Sequence, residues 1–181
     1  RIPVAKDAQA PSRLRLEMGL YDPMAKETLG AILLGHAKLA PPETQPDAEH
    51  RLDVRLGDGV TLLGYDLAPA AVRAGEPFTV TLHWEARQGP SKDYQVFVHV
   101  VGEAERPIVQ GDGPPVGGDY PTSLWGAGDT VLDPHRVPLP PNTSAGQYRI
   151  LVGMYDLETM ERLSRADGGT AAEIPLSVGV D

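Results

Sequence analysis

The sequence predicts an all-β protein, an immunoglobulin-like or jelly-roll-like β-sandwich preceded by a partial repeat of the same unit. Three observations carry this. Short apolar runs alternate with polar residues along most of the 181-residue chain, the period of a strand with one buried face. Gly (20) and Pro (18) fall largely between those runs, where they act as turn residues. A segment near the start is echoed about 134 residues later, the length of one sandwich and too long for a solenoid repeat.

Taken in order, Leu14, Leu16, Met18 and Leu20 alternate with Arg15, Glu17 and Gly19, which is strand period. Residues 32–39 form a second apolar run, and residues 26–34 allow one short helix at most. Ala40-Pro41-Pro42-Glu43-Thr44-Gln45-Pro46-Asp47 reads as an exposed linker. Strands are expected at 52–56 and 60–67, joined by the turn Gly57-Asp58-Gly59. After Ala74-Gly75-Glu76-Pro77, the residues Phe78, Val80, Leu82 and Trp84 alternate with polar neighbours. Residues 94–101 are β-branched and aromatic, and residues 110–128 form a long Gly/Pro-rich loop. Asp133-Pro134 reads as turn chemistry, and the last strands are expected at 137–139, 148–155 and 174–180. Trp84, Phe78, Val96, Val98, Tyr148, Ile150 and Val152 should form the core, with Gly75, Gly146 and Gly153 at turns or close approaches.

The echo is specific. Arg13-Leu14-Arg15-Leu16-Glu17-Met18-Gly19-Leu20-Tyr21-Asp22 matches Gln147-Tyr148-Arg149-Ile150-Leu151-Val152-Gly153-Met154-Tyr155-Asp156. It continues to Glu27 with Glu161 and Leu29 with Leu163, and Arg1-Ile2-Pro3-Val4 matches Arg136-Val137-Pro138-Leu139 with one residue of slip. Residues 1–39 are therefore read as the closing strands of a partial upstream repeat, 40–51 as a Pro-rich linker and 52–181 as a complete unit. The alternative is that 1–39 belongs to one larger sandwich. An apolar face on residues 14–20 must pack on the complete unit, swap into a neighbour or form a homodimer.

Composition narrows the function classes. A net charge of −9 lacks the basic footprint that nucleic acid or anionic lipid requires. The absence of cysteine excludes disulfide scaffolds, thiolate metal sites and Cys nucleophiles. No run of 18 apolar residues and no signal-peptide pattern occurs, and a chain beginning at Arg1 reads as part of a longer protein.

The stretch 63–163 also carries a family likeness. Its pieces are Leu63-Gly64-Tyr65-Asp66, Gly75-Glu76-Pro77, Thr81-Leu82-His83-Trp84, Tyr94-Gln95-Val96-Phe97-Val98-His99, Gln110-Gly111-Asp112, Tyr120-Pro121-Thr122-Ser123-Leu124-Trp125, Gly128-Asp129, and Gly146-Gln147-Tyr148-Arg149 leading to Gly153-Met154-Tyr155-Asp156. It resembles the soluble C-terminal domains of bacterial family 39, protein-mannosyltransferase-like membrane glycosyltransferases, and related repeats of surface proteins. The resemblance implies an extracytoplasmic, cell-surface location, a membrane-anchored parent protein and a non-catalytic accessory role. It carries over no catalytic residue.

Tyr120, Trp125, Asp112, Asp119 and Asp129 crowd the long loop, together with Asp133. Aromatic rings that stack on a pyranose and carboxylates that take its hydroxyls would make a glycan-binding platform. The competing reading is a loop pinned by its two aromatics, with Asp residues capping turns. No cofactor is expected, with a structural Ca²⁺ on the same carboxylates as the lesser alternative, because they fit no Ca²⁺ loop signature. His83 and His99 could share a sheet face if their strands paired, but a zinc site needs three or four ligands. Ser123, Asp133 and His135 lack the elbow of a hydrolase triad. The sequence thus leaves a glycan-recognising accessory module and a structural spacer or self-association module side by side. An enzyme is disfavoured. A glycan binder should expose Tyr120 or Trp125 at a concave rim. A spacer should bury both and present an apolar face on residues 14–20.

Overall fold

Strands build nearly everything in the computed structural model, which describes residues 8–43, 45–57 and 59–179. The turn residue Asp58 and the Arg1–Val4 part of the echo lie outside the described residues. β1 (Ser12–Asp22) and β2 (Glu27–Leu39) form a hairpin that is a sheet of its own. β3 (His50–Leu56), β4 (Val60–Ala68), β5 (Val72–Arg73), β6 (Pro77–Ala86), β7 (Tyr94–Val101), β8 (Pro107–Gln110), β9 (Thr130–Pro138), β10 (Gly146–Asp156) and β11 (Ala172–Gly179) follow. They make two packed sheets, in the orders β3-β4-β6-β9 and β5-β11-β10-β7-β8.

This order decides the connectivity. β4, β6 and β9 share one sheet while β7, β10 and β11 share the other, the immunoglobulin-like distribution rather than the jelly-roll one. The pairing of β5 with β11 is parallel and the other pairings are antiparallel.

Alternation places the core. Phe78, Val80, Leu82 and Trp84 of β6 face Val96, Val98, Val100, Ile150, Val152 and Met154 of the second sheet, all buried. Tyr148 packs only partly against this core and donates its hydroxyl hydrogen bond to the Ser144 carbonyl at 3.0 Å. Gly75 takes φ +80°, a left-handed turn conformation suited to glycine. Gly153 is required by close approach, because a Cβ there would lie 2.5 Å from the Phe97 ring on the paired strand.

Residues 26–34 hold no helix, within the bound of one short helix at most: β2 runs through Thr28 and Ile32, paired with β1 and bulged at Leu29 and Leu34. Two other expectations are corrected. Asp133-Pro134 is no turn but the middle of β9. Proline is tolerated there because β9 is an edge strand. His83 on β6 and His99 on β7 do not share a face, since their strands belong to opposite sheets. The short strands β5 and β8 carry too few residues to give a periodic signal.

Candidate functional site

The long loop between β8 and β9 is built inward. Tyr120 is 0% exposed and Trp125 2%. Trp125 Nε1 donates to the Tyr120 carbonyl at 3.0 Å. The Tyr120 hydroxyl lies 2.7 Å from Asp129 Oδ2, which accepts its proton, and 3.1 Å from the Leu124 carbonyl. Burial and Asp129 push the Tyr120 phenol up to about 12, against the opposing pull of Lys38. A ring with no open face cannot stack on a sugar. The two aromatics are packed under the loop and held to each other and to Asp129.

Each carboxylate of the group has separate work. Asp112 Oδ1 accepts the Val98 N–H at 2.9 Å and its Oδ2 lies 3.1 Å from His99 Nε2, tying the loop to β7. Asp119 is exposed and gives its carbonyl to the Arg13 N–H at 2.6 Å. Asp129 Oδ2 gathers Lys38 Nζ at 2.7 Å, Gly126 N–H at 2.8 Å and the Tyr120 hydroxyl. Burial pushes the Asp129 carboxyl up, but these three donors outweigh it and hold it below the usual carboxylate range. The structure thus brings Tyr120, Trp125 and Asp129 together, with Asp119 beside them, and places Asp112 apart on the β7 side. No group of three or more His, Cys, Asp or Glu among the described residues is arranged to hold a metal ion.

Asp133 and His135 do meet, but inside the sandwich. Asp133 Oδ2 accepts Trp84 Nε1 at 3.1 Å and lies 2.8 Å from His135 Nε2, while its Oδ1 accepts the Val116 N–H at 2.8 Å. His135 Nδ1 faces the Gly111 carbonyl at 2.9 Å. Both ring nitrogens are engaged, which leaves none to activate Ser123. Burial alone would lower the His135 pKa. The Asp133 hydrogen bond and charge, with the Gly111 carbonyl and Asp112, raise it above the ordinary value. His83 is likewise occupied, its Nε2 lying 2.8 Å from Asp66 Oδ2. Clefts of about 360 and 520 Å³ open elsewhere than over the Tyr120 and Trp125 rings, neither of which lines them. One is lined by Pro46, Arg51 and His83 and the other by Leu56, Tyr94 and Leu163.

The hairpin presents most of the exposed large apolar side chains among the described residues. Its base docks on the sandwich through the Arg13–Asp119 backbone bond, the Lys38–Asp129 ion pair and Lys38 Nζ over the Tyr120 ring at 5.6 Å. Beyond that base, Met18 (57% exposed), Leu20 (73%) and Ile32 (58%) stand in solvent. Register puts Leu14, Leu16, Met18 and Leu20 on one face, opposite Ala37, Gly35, Ile32 and Gly30. Fully burying such side chains contributes about 1.5–3 kcal/mol each. Sequence reading found the β1 half of this face by alternation. It missed Lys38 as the latch, because nothing local links residue 38 to residue 129.

No family model and no curated protein matches the chain. Among solved structures the chain is similar to the CARDB domain of a Pyrococcus furiosus protein, crystallised in complex with di-metal ions. The identity is 17%, the match covers 75% of this chain and 100% of that one, and the TM-score is 0.41.

Proposed function

We propose that the chain is a non-catalytic structural module, a β-sandwich spacer that joins its neighbours through strands and recognises no ligand of its own. The observation that carries this reading is the pairing of a closed loop with an open hairpin. The Tyr120 and Trp125 rings are buried, while Met18, Leu20 and Ile32 are presented to solvent on strands that belong to neither sandwich sheet. Contiguous apolar surface of this kind marks an interaction site rather than a small-molecule pocket. Both ring nitrogens of His135 are engaged inside the sandwich, which supports a non-catalytic role. The resemblance to soluble domains of family 39 membrane glycosyltransferases supports an extracytoplasmic position in a membrane-anchored parent protein.

A glycan-array screen of the intact protein tests the reading against glycan recognition. The expected result is no binding above background. Saturable binding that Asp119→Ala weakens while the fold is kept overturns the spacer reading, because Asp119 is the exposed carboxylate beside the buried aromatics.

A further inference from the structure

We propose that the β1–β2 hairpin closes a second sandwich of the same kind, whose strands equivalent to β3–β9 stand ahead of it in the same polypeptide. The inference rests on the structural-module reading and names the partner of that module's open face.

The sequence echo is also an echo in three dimensions. Asp22 Oδ1 accepts the N–H groups of Met24 at 2.8 Å and Ala25 at 3.1 Å. Asp156 Oδ1 accepts those of Glu158 at 2.9 Å and Thr159 at 3.3 Å. Each turn then places its next residue in the left-handed region, Lys26 at φ 57° and Met160 at φ 60°. Tyr21 pairs with Thr28, and Tyr155 bridges to Arg162. Side-chain cap, positive φ and a cross-strand pair beside the turn all coincide at one sequence offset. Alternation of apolar residues alone demands none of these, since hairpins close by many turn types. β1 is therefore the counterpart of β10, and β2 continues where the complete unit makes the excursion 163–171 before β11.

β10 has what β1 lacks. It lies between β11 and β7, whereas among the described residues β1 pairs with β2 alone. Its Ile150, Val152 and Met154 are buried against the opposite sheet, while their counterparts Met18 and Leu20 are exposed and Leu16 only partly covered. Asp156 Oδ2 holds Lys92 Nζ at 2.6 Å. Phe97 stands across from Gly153, and the counterpart of that glycine is Gly19.

The missing partner is thereby described: an antiparallel strand with alternating aliphatic residues, an aromatic residue opposite Gly19 and a cation close to Asp22. β7 and the Lys92 before it have this chemistry, but β7 already lies between β10 and β8. The partner is a second such strand. The echo of Arg136-Val137-Pro138-Leu139 in Arg1-Ile2-Pro3-Val4 puts the counterpart of β9 directly before β1 in sequence, which favours supply in cis over a second molecule.

The test is a chimera with residues 47–135 placed ahead of Arg1, compared with the intact chain by calorimetry and hydrogen exchange. The expected result is a second cooperative transition and at least about 100-fold more protection of the β1 amides, since frayed segments open at almost no free-energy cost and core strands only at the global one. Leu20→Asp should abolish both gains in the chimera and leave the intact chain's transition unmoved. In parallel, the intact chain is titrated with a synthetic peptide of residues 92–101. Slowed exchange in β1, absent with a scrambled peptide, sustains the proposal even if the chimera's added half does not fold. No second transition together with no peptide effect overturns it. So does β1 protection that rises only with concentration of the intact chain, which assigns the face to a second copy. Glycan binding by any of these proteins would sink the spacer reading without touching the strand match.

Discussion

His135 and Asp133 stand two residues apart on β9 and face the same interior, with Nε2 and Oδ2 2.8 Å apart. The second ring nitrogen faces a carbonyl oxygen, an arrangement that favours the doubly protonated ring. The folded-state pKa of His135 is raised above its ordinary value. Its stabilisation is therefore fully present below the unfolded pKa of about 6.5 and is lost as pH rises through the raised folded value. The melting temperature should fall across that window. His135→Gln should flatten the dependence, which thermal unfolding at a series of pH values measures.

Trp125→Ala should destabilise the protein by about 3–5 kcal/mol, the cost of emptying a large buried site. Denaturant unfolding checks it. A value under about 1 kcal/mol would mean that the ring is less enclosed than its 2% exposure indicates.

Asp129→Ala should cost more than Lys38→Met. Removing the carboxylate strands the Gly126 N–H and leaves the Tyr120 hydroxyl only the Leu124 carbonyl at 3.1 Å, a loss of about 1–3 kcal/mol. Removing the lysine loses a partly exposed ion pair, roughly 0.2–1 kcal/mol. Acid should act as the first change does. The Asp129 pKa is held low, so its contribution is present above about 3.9 and lost as pH falls through the folded value. Exchange rates in β1 and β2 report the loosened base.

Deleting residues 1–46 should leave one cooperative unfolding transition. β3 to β11 hold the continuous core, and none of its buried members lies in the hairpin. Loss of cooperativity would show that the hairpin is part of the same folding unit.

Strand alternation made the sandwich legible, and the alternation of Leu14, Leu16, Met18 and Leu20 made β1 legible. β9 was read too short for a physical reason. Val131, Asp133, His135 and Val137 hold strict strand period, but two of the four are ionisable, so the apolar pattern looks broken. They satisfy each other inside, and that pairing is the signal to look for. The loop group was visible as a cluster of residues, yet its direction was not. Whether Tyr120 points at a ligand or at Trp125 depends on Asp129 and Lys38, which are distant in sequence and adjacent in space. The choice between jelly-roll and immunoglobulin connectivity lay in which strands share a sheet, and strand spacing does not encode that.

The hairpin's two ends leave side by side, since Ser12 pairs with Leu39 and the turn closes far off at Asp22 and Glu27. Tension carried along the polypeptide would first strain the Arg13 and Lys38 anchors. It would then open the ladder one rung at a time from Ser12 and Leu39, the geometry of a zip fastener. Sandwich strands loaded along their length must instead break many rungs together. The hairpin would therefore extend at a lower force than the strands packed inside the sandwich.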